Sequence, residues 1–227
     1  MIAALLLIRS FALEPVRVRQ TVRMGSDDGH DVSRQWSQWR TETDLQEYLT
    51  RWQRLEEAGE SSHGEADFIE SLRPASVLDA GCGMGRVAIE LDRRGIDVVG
   101  VDLDDDLLKF ARLSQPSIRW VHADLATVSI DRRFDVVAMP GNVMIFCRAS
   151  DRGGIIHNLA AHLVSGGLLV AGFDLQRGPD ALTLAEYDRL CAAGGLALMR
   201  RCSTWQGDEY RDQLYAVSVH RKQVGPT

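Results

Sequence analysis

From Ser76 to Gly195 short apolar runs alternate with stretches of helical periodicity, and no other feature restricts the fold of this chain as much. SVLDA (76–80), DVVGVD (97–102), SIRWVHAD (117–124), RFDVVAMPG (133–141) and GGLLVAGF (166–173) read as buried strands. RVAIELDRRG (86–95), DDDLLKFARLS (104–114), DRGGIIHNLAAHLV (151–164) and LTLAEYDRLCAAGG (182–195) read as the helices between them. Parallel neighbours need crossover connections, so this order demands a doubly wound α/β domain, its mostly parallel sheet covered by helices on both faces. The end of the chain departs from the alternation. LALMRRCSTWQ (196–206) and DQLYAVSVHR (212–221) are two β-like runs joined by a polar turn, which predicts an antiparallel C-terminal hairpin and seven strands in all.

With 227 residues, 45 % of them hydrophobic, the chain suits one core rather than two. The expected organisation is a loosely attached segment over 1–30, N-terminal helices covering the pocket over 31–73 and the α/β domain over 74–222. The apolar run Ile2–Ile8 is too short for a membrane span, which takes about 20 residues. It also lacks the basic start of a secretory signal, and Met24 offers an alternative start. Trp36, Trp39, Leu45, Tyr48, Leu49, Trp52 and Leu55 lie at helical spacing, which predicts an amphipathic helix beginning near Thr41–Asp44 and ending before Gly59. The aromatic members either pack the helix onto the sheet or form a lid over an apolar substrate. A second helix, HGEADFIESLRP, stops at Pro74. A net charge of −6 with both signs interspersed argues against a surface that neutralises phosphates, hence against nucleic acid and for a small or uncharged substrate. Cys82, Cys147, Cys191 and Cys202 form no Cys-x-x-Cys pair and read as reduced thiols of a cytoplasmic protein.

The first strand runs into VLDAGCGMGR, Val77–Arg86, and in such sheets the ligand lies beyond the carboxyl ends of the strands where their order reverses. Gly81, Gly83 and Gly85 suit a sharp turn with a ligand close to the backbone. A dinucleotide turn has the spacing G-x-G-x-x-G/A. Here Arg86 stands where the last small residue belongs, and Asp79 would repel a pyrophosphate, so a nicotinamide-dependent oxidoreductase is the less favoured reading. Asp79 suits an ammonium or a sulfonium. VLDAGCGMGR closely resembles the first motif of the class I S-adenosylmethionine-dependent methyltransferases, and the resemblance covers about Gly64 to Arg221. It implies the Rossmann-like methyltransferase fold and S-adenosylmethionine as cofactor. Asp79 and the backbone from Gly81 through Cys82, Gly83 and Gly85, with Arg86 beside it, would face the methionine end. Asp102 would accept from both ribose hydroxyls with Leu103 against the adenine. Asp124 would accept from the adenine amino group, and Leu125 would add a neighbouring backbone contact. Each acid alone also fits a structural part, Asp79 capping the turn and Asp124 starting a loop. Three acids at three consecutive strand ends are the stronger sign. The acids of DLDDD read as a helix start, with Asp104 the N-cap.

MPGN, Met139–Asn142, follows the fourth strand where the resemblance puts the transferable methyl, and it is not the Asn/Asp-Pro-Pro-aromatic motif of base N-methylating relatives. Gly141 and Asn142 suit either the cofactor-pocket lining or an ordinary turn. Met144, Ile145 and Phe146 read as packing residues. His63 is the first candidate for a base or substrate contact, with a surface or helix-entry histidine the alternative. His157 and His162 read as solvent-facing. Asp174 and Gln176 could reach the pocket from the opposite wall, though no spacing rule selects them. His63-Gly-Glu65 lacks the Pro-Cys-x-x-Cys partner of zinc deaminases, so no metal is expected. The expected activity is in-line methyl transfer to a small molecule by a monomer or homodimer free of membrane and nucleic acid. A module that binds the cofactor without turnover is the alternative. The catalytic residue and the accepting atom stay open.

Overall fold

The structure, a computed structural model, describes residues 32–45, 47, 50, 54, 63–176 and 181–224. The expected N-terminal segment and Tyr48, Leu49, Trp52 and Leu55 lie outside the described residues. In chain order the elements are α1 (Arg34–Glu42), α2 (Gly64–Ser71), β1 (Ser76–Ala80), α3 (Arg86–Arg93), β2 (Asp97–Asp102), α4 (Asp105–Ser114) and β3 (Arg119–His122). Then follow β4 (Phe134–Met139), α5 (Val143–Phe146), α6 (Arg152–Ala161), β5 (Leu163–Asp174), α7 (Leu184–Ala193), β6 (Leu196–Cys202) and β7 (Tyr215–Lys222).

The strands form one sheet in the order β3-β2-β1-β4-β5-β7-β6. β1 pairs in parallel with both β2 and β4, and β7 runs antiparallel between β5 and β6. The sheet is therefore the predicted one, and its order reverses between β1 and β4, beside the glycine turn. Alternate strand residues divide the core into two layers. Leu78, Val99, Val137 and Leu169 face Ile156 and Leu159 of α6 and Tyr187 of α7. Val77, Val98, Val136 and Val170 face Phe68 and Ile69 of α2 and Val87 and Leu91 of α3.

Two features differ from the sequence reading. A separate helix, α1, precedes the expected one and carries Trp36 and Trp39, because the Ser33 side chain accepts from the Trp36 amide and caps it. The helix expected from near Thr41–Asp44 begins at Leu45, with Asp44 Oδ1 accepting from the Glu47 amide. Leu163 and Val164 belong to β5 rather than to the preceding helix, since Leu163 is fully buried opposite Phe134. α2 buries the apolar face of Phe68 and Ile69 in the core.

Gly100 sits mid-strand in β2 directly opposite Trp120 of β3, and a Cβ there would meet the indole ring at 2.4 Å. A strand glycine of this kind marks a close approach rather than a turn. Gly100→Ala is expected to destabilise the fold by about 1–3 kcal/mol through overpacking. Adding Trp120→Leu should return part of that loss, as read by urea unfolding of the single and double variants.

Candidate functional site

The turn after β1 is held to the end of β2 by three hydrogen bonds. The Gly81 and Cys82 amides donate to the Val101 carbonyl at 2.8 and 3.0 Å, and the Gly83 amide donates to Asp102 Oδ2 at 2.7 Å. Gly81, Gly83 and Gly85 all have positive φ, the backbone region that glycine enters without strain. Their missing side chains have separate consequences. A Cβ on Gly81 would strike Val143 at 2.6 Å and one on Gly85 would strike Trp120 at 2.4 Å, whereas at Gly83 only Leu107 Cδ1, at 4.0 Å, is near.

Beyond the strand tips lies a cavity of about 340 Å³, within the usual range for small-molecule sites. Asp79, Gly81, Cys82, Gly83, Arg86, Asp102, Leu103, Asp124 and Leu125 all line it. Gly85 and Asn142 are not among the lining residues. Gly85 instead clears space for Trp120. Asn142 adopts φ 69° and its Oδ1 accepts from the Asp174 amide at 2.8 Å, so its side chain ties α5 to the end of β5.

Asp79 is fully buried. Its Oδ2 accepts from the Ala88 amide at 3.1 Å, an N-terminal amide of α3, whose N-cap, Gly85, has no side chain to offer. Its Oδ1 has no partner. Burial pushes the Asp79 carboxyl up to about 7, with the Arg86 charge and the Ala88 amide pulling against that rise. Asp102 is 7 % exposed, and its Oδ1 accepts from the Asp104 amide at 2.9 Å. Burial raises it to about 6, opposed by the Asp104 and Gly83 amides. Each Asp102 oxygen retains acceptor capacity, because a carboxylate offers about four lone-pair positions. Asp124 Oδ1 accepts from the Ala126 amide at 2.8 Å, which fixes its loop. Arg86 is bidentate with Glu65 of α2, at 2.5 and 3.0 Å.

The opposite wall comes from α1 and from the segment after β4. Trp36 and Trp39 stack with ring centroids 5.0 Å apart. Phe146 stands edge-on to Trp36 at 5.9 Å and tilted to Trp39 at 5.8 Å. All three rings line the cavity, as do Cys147, Arg148 and Asp151. The Ser33 hydroxyl donates to the Phe146 carbonyl. At the other end of α1, Arg40 Nε lies 2.7 Å from Asp104 Oδ2, and its Nη2 lies 3.2 Å from Asp106 Oδ2. The sequence reading missed Ser33, Arg148 and Asp151 and took Phe146 for packing. A serine three residues before Trp36 was the available signal for Ser33.

The histidines stand elsewhere. His63 precedes α2 with Nε2 3.9 Å from Glu90 Oε2 and is not among the lining residues. His157 is exposed. His162 is buried rather than solvent-facing, because its Nε2 accepts from the Ile130 amide at 3.2 Å and its Nδ1 lies 2.9 Å from the Asn158 carbonyl. Asp174 Oδ1 accepts from the Gln176 amide, and neither residue is among those lining the cavity.

The family described as methyltransferase domain matches residues 77–167. A TehB-like SAM-dependent methyltransferase from Corynebacterium glutamicum, a solved structure, is 33 % identical with a TM-score of 0.72, the match covering 78 % of this chain and 97 % of that one. Magnesium-protoporphyrin O-methyltransferase of Rhodobacter capsulatus is 35 % identical over 40 % of this chain and 42 % of that protein. The dTDP-3-amino-3,4,6-trideoxy-alpha-D-glucopyranose N,N-dimethyltransferase of Streptomyces venezuelae is 30 % identical over 46 % of each. The chain spans less than half the length of these two curated relatives.

A carboxyl that holds its proton up to about 7 when folded, against 3.8 ordinarily, favours the folded state in its protonated form. Its contribution to stability is full below about 4 and is lost as pH rises toward 7. Asp79→Asn removes this loss, so urea unfolding across that pH range should show the variant gaining stability relative to the parent as pH rises. A constant difference would contradict the burial of this carboxyl.

Proposed function

The chain belongs to the S-adenosylmethionine-dependent methyltransferases, and on that premise we propose that it binds S-adenosylmethionine in this cavity and transfers the methyl group to a small molecule. The observation that carries the proposal is the set of acids from three consecutive strand ends, Asp79, Asp102 and Asp124, on one cavity with the glycine turn. The unpartnered Asp79 Oδ1 fits a cationic group, since an ammonium there would complete a buried carboxylate. Asp102 has acceptor capacity left for the two ribose hydroxyls. Asp124 would take the adenine amino group, with Leu103 and Leu125 beside the base.

When bound, S-adenosylmethionine supplies a methyl group on cationic sulfur and a neutral thioether as leaving group. Asp102 would hold the ribose and Asp79, ionised, the amino group. The open side of Gly83 admits the ligand close to the backbone. Trp36, Trp39 and Phe146 would exclude water from the acceptor side. What remains for the protein is to hold a nucleophile in line with the breaking bond, and orientation of that kind accounts for about 7–11 kcal/mol of a barrier. A general base typically adds 10²–10⁴-fold and is optional. A small acceptor is supported by the cavity's size and by the relatives named for a porphyrin and a nucleotide-linked amino sugar. The four free cysteines support a reducing, cytoplasmic setting.

Isothermal calorimetry should show S-adenosylmethionine and its demethylated product binding. Each charge-assisted hydrogen bond is worth about 1.5–3 kcal/mol, so Asp102→Ala should weaken both ligands by about a hundredfold or more. Unchanged affinity would mean that the ribose lies elsewhere. With methyl-labelled donor and metabolite extract, label should enter a small organic fraction. Label in protein or nucleic acid alone would overturn the acceptor class, and intact binding without transfer would mark a binding module.

A further inference from the structure

We infer that the acceptor is a small amine or nitrogen heterocycle, and that the wall of Trp36, Trp39 and Phe146 beside Asp151 receives the cation formed when its nitrogen is methylated. The inference rests on the proposed seat of the methyl donor. With the ribose at the end of β2 and the amino group at the end of β1, the sulfur side of the cavity is the side of Pro140, Gly141 and the aromatic wall, which follow β4 and come from α1.

Three rings meet within 6 Å of one another on this wall. Aromatic faces carry negative charge density, tryptophan most effectively, and attract a cation that lies over them. The titratable side chains lining the cavity favour the same sign of ligand, since the acids Asp79, Asp102, Asp124 and Asp151 outnumber Arg86 and Arg148. Arg86 is already engaged with Glu65, and Arg148 Nε lies 2.6 Å from Asp151 Oδ2. An anionic acceptor such as a carboxylate or phenolate would enter against this excess and leave as a neutral product, for which the aromatic faces hold no charge-dependent attraction.

The nearby proton acceptors point the same way. Burial pushes the Cys147 thiol up to about 12, and its sulfur lies 3.3 Å from the Val143 carbonyl. The Arg148 hydrogen bond holds the Asp151 carboxyl below the ordinary carboxylate range. Neither is suited to deprotonate an alcohol at neutral pH. A neutral amine brings its own lone pair. That pair forms the new nitrogen–carbon bond while the carbon–sulfur bond breaks with its electrons passing to sulfur. Positive charge thus moves from sulfur to nitrogen, and any amine proton then leaves to solvent. A wall on the acceptor side attracts that charge as it moves toward nitrogen. It thereby stabilises the transition state more than a ground state in which the charge still sits on sulfur.

The test uses the full chain saturated with S-adenosylhomocysteine, with choline as cationic probe and 3,3-dimethylbutanol as its uncharged isostere. Tryptophan fluorescence should show choline binding about tenfold tighter. Trp39→Phe should keep the preference and the double variant Trp36→Leu/Trp39→Leu should abolish it. α1 has no fully buried residue, so both variants should stay folded at the assay temperature, which their unfolding midpoints check. Equal affinities, no detectable binding of choline, or a preference that survives the double variant would overturn the inference. In the labelling screen the methyl group should be recovered on nitrogen, and recovery on oxygen would overturn it. Failure of S-adenosylhomocysteine to bind, with the choline preference intact, would remove the donor reading alone.

Discussion

The end of β2 accepts hydrogen bonds from the turn after β1, and most of the site follows from that joint. Val101 takes two amides of the turn through its carbonyl, and Asp102 takes a third through its side chain. Three glycines at positive φ lose much conformational entropy on ordering, so the turn needs such external ties to hold one shape. Because β1 also pairs with β4, the tied turn stands where the sheet reverses its order. Asp102 must be buried to reach the turn, and this burial is what raises its carboxyl to about 6.

Asp79 shows the same compromise in stronger form. One oxygen completes the start of α3 in place of a side chain that Gly85 lacks, while the other is buried without a partner. Native proteins rarely leave such an atom unsatisfied. The α3 amide holds the carboxyl group in place, and the unpartnered oxygen is what the proposed ammonium of the donor would engage. The structural role weighed from sequence falls to one oxygen of Asp79, and the proposed binding role falls to the other.

The sheet and the three acids were legible because they depend on local pattern. Strand periodicity places Asp79, Asp102 and Asp124 at or just past strand ends, and parallel pairing brings those ends to one edge whatever the loops do. The aromatic wall depends on contacts between Trp36 or Trp39 and Phe146, more than a hundred positions apart. Periodicity flagged the two tryptophans but could not choose between core and lid, nor tell that Phe146 faces them. Gly85 and Gly100 looked like ligand-turn and strand residues respectively, yet both make way for Trp120, whose position no spacing rule predicts. His162 read as solvent-facing from its place in the helical stretch after the fourth strand, whereas its buried ring accepts from the Ile130 amide.

Asp104 has three separate partners. Its amide donates to Asp102, its side chain caps α4, and one carboxylate oxygen faces Arg40 of α1. α1 itself buries no residue, so at this end it is fastened to the body by charge. The Arg40 side chain is 24 % exposed and the Asp104 side chain 13 %, close enough to water for dissolved ions to weaken their attraction. Raising ionic strength therefore loosens the roof of the cavity while its floor, built of backbone hydrogen bonds, keeps its shape.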